Sequence, residues 1–287
     1  MVNQLSKLIA KNKLSEALDI LLVEVKNDPN SFELNYLLQG VYYLNGDYEN
    51  CYNQLIKIEK NFPNKKLTEI RVLKEICYRQ IKNLPKLIYN EEGPFLEVLS
   101  KVENKTLLGI QSLFNLFQLL KQAKSVHGDM AEVGVYKGGT AYLMLKESAS
   151  TNKKVHLFDT FSGMPKTNEA IDLHKEGDFK DTSMKQCQLF LSEFSNAEFY
   201  PGIFPETASP IKNKRFSFVH VDCDIYSSVK ESCEFFYPRL EKSGILLFDD
   251  YGIPSCPGAK KAVDEFFKDK LEYPIYYTSG QCSIIKL

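Results

Sequence analysis

Two short apolar runs each end in a pair of carboxylates, and no other feature of the chain carries as much chemistry. The first, Phe216-Ser217-Phe218-Val219-His220-Val221, runs into Asp222-Cys223-Asp224. The second, Ile245-Leu246-Leu247-Phe248, runs into Asp249-Asp250-Tyr251. Runs of this length and composition read as buried strands of a parallel sheet. Ligands of open α/β sheets bind beyond the carboxyl ends of such strands, so four aspartates are expected to crowd one functional edge. Like charges that close repel unless they share protons or a divalent cation neutralises them.

A second constellation precedes them. Glu132-Val133-Gly134-Val135-Tyr136-Lys137-Gly138-Gly139-Thr140 sits where a strand turns into a helix. Glycine there permits a tight turn and a close approach of backbone to a ligand. The order is GxxxGG, not the GxGxxG of dinucleotide dehydrogenases, which makes a nicotinamide oxidoreductase the weakest enzyme reading. Asp159 ends the next apolar run, Val155-His156-Leu157-Phe158, where a carboxylate can accept hydrogen bonds from ribose hydroxyls.

From His127 onward the apolar runs alternate with helical patterns. Strands are expected at 130–135, 154–158, 197–201, 216–221 and 245–248, with helices at 138–148, 183–194, 227–240 and 258–268. Repeated βα units specify a doubly wound parallel sheet. The last two runs, 273–277 and 282–285, have only a short Ser279-Gly280 turn region between them, so they read as a hairpin whose final strand is antiparallel. A long helix is expected around Lys105 to Lys124, after a linker at Asn90-Glu91-Glu92-Gly93-Pro94. The 161–181 stretch is long, polar and poor in helix, and lies at the edge where a lid would exclude water. His174 and Asp178 belong to it and could touch the substrate from it, although a solvated loop histidine is the plainer and favoured reading of His174. His220 shares a strand face with Asp222 and reads as a hydrogen-bonded core residue rather than a base.

Before this region, to about residue 85, the chain is helical throughout. Leu14-Ser15-Glu16-Ala17 superposes on Tyr48-Glu49-Asn50-Cys51, and Asp28-Pro29-Asn30 on Phe62-Pro63-Asn64, a period of 34 residues. That is the tetratricopeptide period, and it divides the chain into a small all-α tetratricopeptide-like module at 1–90 and an α/β domain at 91–287. So few repeats bury no continuous core of their own. The module is therefore expected to act as a cap or homo-oligomer surface, with a docking groove for a carrier protein as the sharper alternative.

The bulk numbers close off other classes. The chain has 287 residues, 44% hydrophobic and 25% charged, with a formal net charge of -1. That balance has no basic excess for nucleic acid or an anionic membrane. No apolar run approaches the ~20 residues that cross a bilayer. The seven cysteines are odd in number and scattered without a CxxC, which points to reduced thiols in a cytoplasmic protein and away from a zinc site.

Five ordered blocks carry a resemblance over about residues 100–287: the Glu132–Gly139 turn, Asp159-Thr160-Phe161-Ser162-Gly163-Met164-Pro165, Pro201-Gly202-Ile203-Phe204-Pro205-Glu206-Thr207, Asp222 to Ser228, and Phe248-Asp249-Asp250-Tyr251. The set resembles class I S-adenosylmethionine-dependent methyltransferases with a Rossmann-like fold, and more narrowly the macrocin-type sugar O-methyltransferases of natural product biosynthesis. The resemblance implies S-adenosylmethionine as donor, with Glu132, Gly134, Tyr136, Gly138 and Asp159 around it. It implies Mg2+ held by Asp224, Asp249 and Asp250, a donor set of hard oxygens that suits this ion. Asp222 is then the general base for a hydroxyl of a small-molecule or glycan acceptor; its plain alternative is a cap on a strand or helix. A catechol-type enzyme fits less well, because Asp250 stands where such enzymes commonly carry Asn. N-methylation and an idle scaffold that binds a partner through its repeats complete the alternatives.

Overall fold

In the computed structural model, the structure describes residues 2–82, 92–102 and 104–287. Two compact units divide at Leu96 and Glu97. The expected boundary at 90/91 lies outside the described residues. Of the expected linker, Gly93 and Pro94 instead open a helix, α6 (Gly93–Val102); proline is tolerated in a first turn because its missing N–H would have no partner there.

The first unit contains α1 (Val2–Ala10), α2 (Leu14–Asn27), α3 (Phe32–Leu44), α4 (Tyr48–Asn61) and α5 (Leu67–Ile81). Consecutive helices pack on one another. The Ser31 and Asp47 side chains cap α3 and α4 by accepting from Leu34 N and Asn50 N, and Gly46 makes the intervening turn at φ +73°. Apolar positions at helical spacing form two small cores. One gathers Leu5, Ala17, Leu21, Leu38 and Val41; the other gathers Phe32, Cys51, Leu55, Ile58 and Ile70. Helices α2 and α4 begin at Leu14 and Tyr48, the same offset as the sequence repeat.

The second unit is built on a seven-stranded sheet of order β3-β2-β1-β4-β5-β7-β6. The strands are β1 (Asp129–Val133), β2 (Val155–Asp159), β3 (Ala197–Pro201), β4 (Phe216–Val221), β5 (Leu240–Phe248), β6 (Ile275–Tyr276) and β7 (Cys282–Ile285). The first five are parallel, and β7 runs antiparallel to β5, as the hairpin reading requires. The remaining helices are α7 (Ile110–Ala123), α8 (Gly139–Ser148), α9 (Met184–Phe190), α10 (Tyr226–Phe236) and α11 (Pro257–Phe267). The expected helix from Lys105 is shorter than its pattern, starting at Ile110. Upstream, the Lys105 carbonyl instead accepts from Gly139 N at 2.9 Å. A Cβ on Gly139 would come within 2.7 Å of that oxygen, so the glycine admits the crossing strand of coil.

Strand order reverses between β1 and β4, which places the topological switch point, and the crevice that goes with it, at their carboxyl ends. The ladder continues past the strands there: Asp222 N donates to Val133 O at 2.9 Å and Asp249 N to Val221 O at 3.0 Å. The core beneath is aromatic and aliphatic, with Phe158, Phe216, Phe236 and Phe248 nearly or fully buried.

Candidate active site

The crevice floor is set by one close approach. Gly134 lies at φ +91°, and a Cβ on it would stand 1.7 Å from the Asp222 carbonyl oxygen. Only glycine therefore lets β1 and β4 end side by side and present Gly134 and Asp222 to the same space. The loop that follows is pinned by Asp159. Its Oδ2 accepts from Val135 N (2.7 Å) and Tyr136 N (2.8 Å), and its Oδ1 accepts from Phe161 N (2.6 Å). A carboxylate offers about four acceptor positions, so Asp159 organises the turn with three of them and keeps about one for a ribose hydroxyl. Tyr136, in a left-handed backbone at φ +51°, donates its hydroxyl to Asp181. Gly138, at φ +89°, turns the chain into α8, where a Cβ would meet Cys187 Sγ at 2.8 Å.

Glu132 faces the sheet interior. It is fully buried, and its Oε1 lies 2.9 Å from His220 Nδ1. Glu132 Oε2 and His220 Nε2 have no hydrogen-bond partner among the described residues, and Nε2 is 3.9 Å from Asp249 Oδ1. Burial opposes a charge on His220, but the Asp249 and Glu132 carboxylates outweigh it and hold the imidazolium well above its usual range.

The four aspartates divide in a way that spacing along the chain did not reveal. Oxygens of Asp222, Asp249 and Asp250 converge within 4.8 Å of one another, whereas Asp224 groups with His174 and Cys256. The expected set of Asp224, Asp249 and Asp250 is thus not the one whose carboxylates meet. The cause is local: Asp224 lies past the end of β4 at φ +60°, where strand alternation no longer sets its direction, and its carboxylate meets His174 and Cys256. Its backbone N–H donates to Asp250 Oδ2 at 2.9 Å, so Asp224 supports the cluster through its main chain. Burial, then the Asp249 and Asp250 charges, holds the Asp222 carboxyl well above the carboxylate range; burial, then Asp224 and Asp249, does the same for Asp250. Asp224 is raised by burial and partly relieved by His174.

The 161–183 stretch borders this crevice and holds no helix. It is closed on itself at one place and tied to other elements at two. Met164 N donates to Asp178 O, Asp172 Oδ1 accepts from Tyr226 N at the start of α10, and Asp181 receives Tyr136 and Lys137. His174 faces Asp224 and Cys256 instead of standing free in solvent.

The profile of the macrocin-O-methyltransferase (TylF) family matches residues 64–284. The chain belongs to the macrocin-O-methyltransferase family. The match reaches back into α5 of the helical unit, further than the five blocks themselves. Among relatives named O-methyltransferases, the chain is 29% identical over 170 residues to the 8-demethyl-8-(2,3-dimethoxy-alpha-L-rhamnosyl)-tetracenomycin-C 4'-O-methyltransferase of Streptomyces olivaceus, covering 54% of this chain and 65% of that one. It is 29% identical over 179 residues to the mycinamicin III 3''-O-methyltransferase of Micromonospora griseorubida, covering 56% and 69%. The chain thus spans only about two thirds of these relatives' length. The solved O-methyltransferase NovP superposes with a TM-score of 0.57 at 26% identity, over 63% of this chain and 82% of that one. A calicheamicin methyltransferase shares the fold at 17% identity and a TM-score of 0.52. The sheet with its antiparallel β7 is the class I methyltransferase architecture of this family.

The site residues of this family member fit the groups the family implies. Three converging carboxylates of hard oxygen donors with no imidazole among them suit Mg2+. The positive-φ glycines at 134 and 138 let β1 end against Asp222 and turn tightly into α8, the strand-to-helix turn at which this fold holds a nucleoside donor. A stability test follows from the titrations. Asp222 and Asp250 hold protons when folded that the unfolded chain has already released, so stability falls as pH climbs from the unfolded carboxylate value through their raised ones. His220 stabilises fully below about pH 6.5 and loses that contribution as pH rises through its raised value. Both act in one direction. The melting temperature of the metal-free chain is expected to fall from about pH 6 to about pH 9, and excess Mg2+ to flatten the fall. Equal slopes with and without Mg2+ would argue against cation binding at the cluster.

Two contributors escaped the sequence reading. Gln281 Nε2, just before β7, donates to Asp249 Oδ1 at 2.7 Å and fixes that carboxylate. Cys256, just before α11, meets Asp224 and His174. Neither lies in a motif, and their partners are distant in the chain, so no spacing pattern marks them.

Proposed function

We propose that this chain transfers a methyl group from S-adenosylmethionine to a hydroxyl of a sugar in a glycoside or natural product, with Mg2+ held by Asp222, Asp249 and Asp250. The observation that carries this reading is the convergence of those three carboxylates beside the glycine turn of β1. When bound, the donor supplies an electrophilic sulfonium methyl and Mg2+ supplies a Lewis acid for the acceptor hydroxyl.

The chain's own residues do the rest. Gly134 and Gly138 give the β1–α8 turn the tight left-handed course that presents its backbone to the donor, and Asp159 holds that turn in shape through Val135 and Tyr136. Asp222, Asp249 and Asp250 hold the cation, with Asp249 steadied by Gln281. Asp224, outside the trio but next to it, takes the hydroxyl proton on a carboxylate oxygen. His174 beside Asp224 favours the carboxylate form that a proton acceptor requires. The 161–183 stretch excludes water from the crevice. This reading exchanges the two aspartates of the Asp222-Cys223-Asp224 run relative to the resemblance: the first holds the metal and the second takes the proton.

The test is calorimetric titration of the full chain with S-adenosylhomocysteine, in Mg2+ and in EDTA, followed by label transfer from methyl-labelled donor to a panel of rhamnosyl glycosides. Micromolar binding, weakened at least about tenfold in Asp159→Asn, is the expected result. No binding in either buffer would sink the methyltransferase reading.

A further inference from the structure

We propose that His174, Asp224 and Cys256 form a second cation site, selective for a borderline divalent ion such as Zn2+ and distinct from the all-carboxylate cluster. The three donor atoms make a nearly equilateral triangle: Cys256 Sγ to His174 Nε2 is 3.6 Å, Cys256 Sγ to Asp224 Oδ1 is 3.5 Å, and His174 Nε2 to Asp224 Oδ1 is 3.6 Å. Zn–S, Zn–N and Zn–O bonds of about 2.3, 2.1 and 2.1 Å at tetrahedral angles place sulfur about 3.6 Å from nitrogen or oxygen, and nitrogen about 3.4 Å from oxygen. The three edges match that geometry. Before an ion binds, Cys256 Sγ donates to Asp224 Oδ1 and meets His174 Nε2 at thiol hydrogen-bond distances, and His174 faces Asp224 at an ion-pair distance, so these contacts already hold the three donors at the spacing a cation requires. On the far side of the imidazole, Nδ1 faces Asp178 Oδ2 at 3.3 Å. A carboxylate there is the usual partner of a metal-bound histidine, fixing its tautomer so that Nε2 points at the ion.

The mixed sulfur, nitrogen and oxygen donor set discriminates against Mg2+ and Ca2+, which prefer oxygen alone. Three protein ligands leave a fourth position for water. The side chains of His174 and Asp224 remain 19% and 18% exposed, which gives an ion a route in from the crevice. On binding, the Cys256 S–H bond breaks, its proton leaves to water, and the sulfur electron pair forms the bond to the cation. Occupancy would tie the 161–183 stretch, through His174, to the β4 terminus and the start of α11. Resting on the proposed function, it would also remove Asp224 as a proton acceptor, so micromolar Zn2+ should inhibit methyl transfer in a way that added Mg2+ does not relieve.

The deciding experiment needs no methyl acceptor. Co2+ is titrated into the full chain with Mg2+ in excess to fill the carboxylate cluster, while near-ultraviolet thiolate charge transfer and visible d–d absorption are recorded. One equivalent should give a charge-transfer band and the intense d–d envelope of tetrahedral Co2+, displaced by one equivalent of Zn2+. The band should vanish in Cys256→Ser, persist in Cys223→Ser, and require at least about tenfold more Co2+ in His174→Gln. His174 lies on the border of the crevice, so that variant keeps the test decisive if Cys256→Ser fails to fold. No thiolate band in the wild-type chain, or a band unchanged in both Cys256→Ser and His174→Gln, would overturn the site whether or not the methyltransferase reading stands.

Discussion

Asp224→Asn is expected to lower kcat for methyl transfer about 10²- to 10⁴-fold, the range set by loss of a positioned proton acceptor, with little change in Mg2+ affinity. Asp222→Asn should do the opposite first. It should weaken Mg2+ binding by about a hundredfold or more, and activity should return in part at high Mg2+. The contrast follows from the geometry. Asp222 shares its oxygens' neighbourhood with Asp249 and Asp250, while Asp224, near enough for its charge to raise Asp250, hydrogen-bonds Asp250 through its backbone N–H and turns its carboxylate to His174 and Cys256. Asparagine preserves that backbone hydrogen bond and the side-chain volume, so each variant changes charge rather than shape. Initial rates over a range of Mg2+ concentrations, with direct Mg2+ titration of each variant, separate the roles. If Asp224→Asn loses Mg2+ and Asp222→Asn keeps it, the ligand set implied by the resemblance is restored and the exchange proposed above is wrong.

Gly134→Ala carries the second large effect. Alanine in the left-handed region costs about 1–2 kcal/mol on its own. Here a methyl group would also stand 1.7 Å from the Asp222 carbonyl, so the ends of β1 and β4 would have to separate. With a typical overpacking cost added, the loss should reach about 3 kcal/mol or more in urea unfolding, with S-adenosylhomocysteine binding abolished. Gly177→Ala is the control. Its φ of +86° is equally unfavourable, but nothing lies within 4 Å of the added carbon. It should therefore lose only the conformational share and keep ligand binding. Equal losses in the two variants would mean that backbone conformation alone explains Gly134, and that the contact with Asp222 does not govern the crevice.

The amino-acid sequence determined the class of this protein because its signals are local. Aliphatic runs separated by helical patterns specify parallel strands, and the short turn around Ser279-Gly280 leaves the last strand no way to join except antiparallel. A glycine-bearing turn after β1 and carboxylates after β4 and β5 follow directly, because strand ends in one parallel sheet share an edge. Local patterns also misled where a distant partner intervened: the helix expected from Lys105 starts at Ile110, since the Lys105 carbonyl goes to Gly139 instead of a helical turn. Tertiary structure alone decided how the aspartates divide, because Asp222 to Asp224 lie past the end of β4, with Asp224 left-handed, where the side-chain alternation of a strand pattern no longer applies. It also decided that Asp159 spends its oxygens on the loop, that Glu132 turns inward to His220, and that Gln281 and Cys256 join the site. Those outcomes depend on which atoms meet across 20 to 80 or more positions of chain, and residue spacing along one strand or helix holds no record of such encounters.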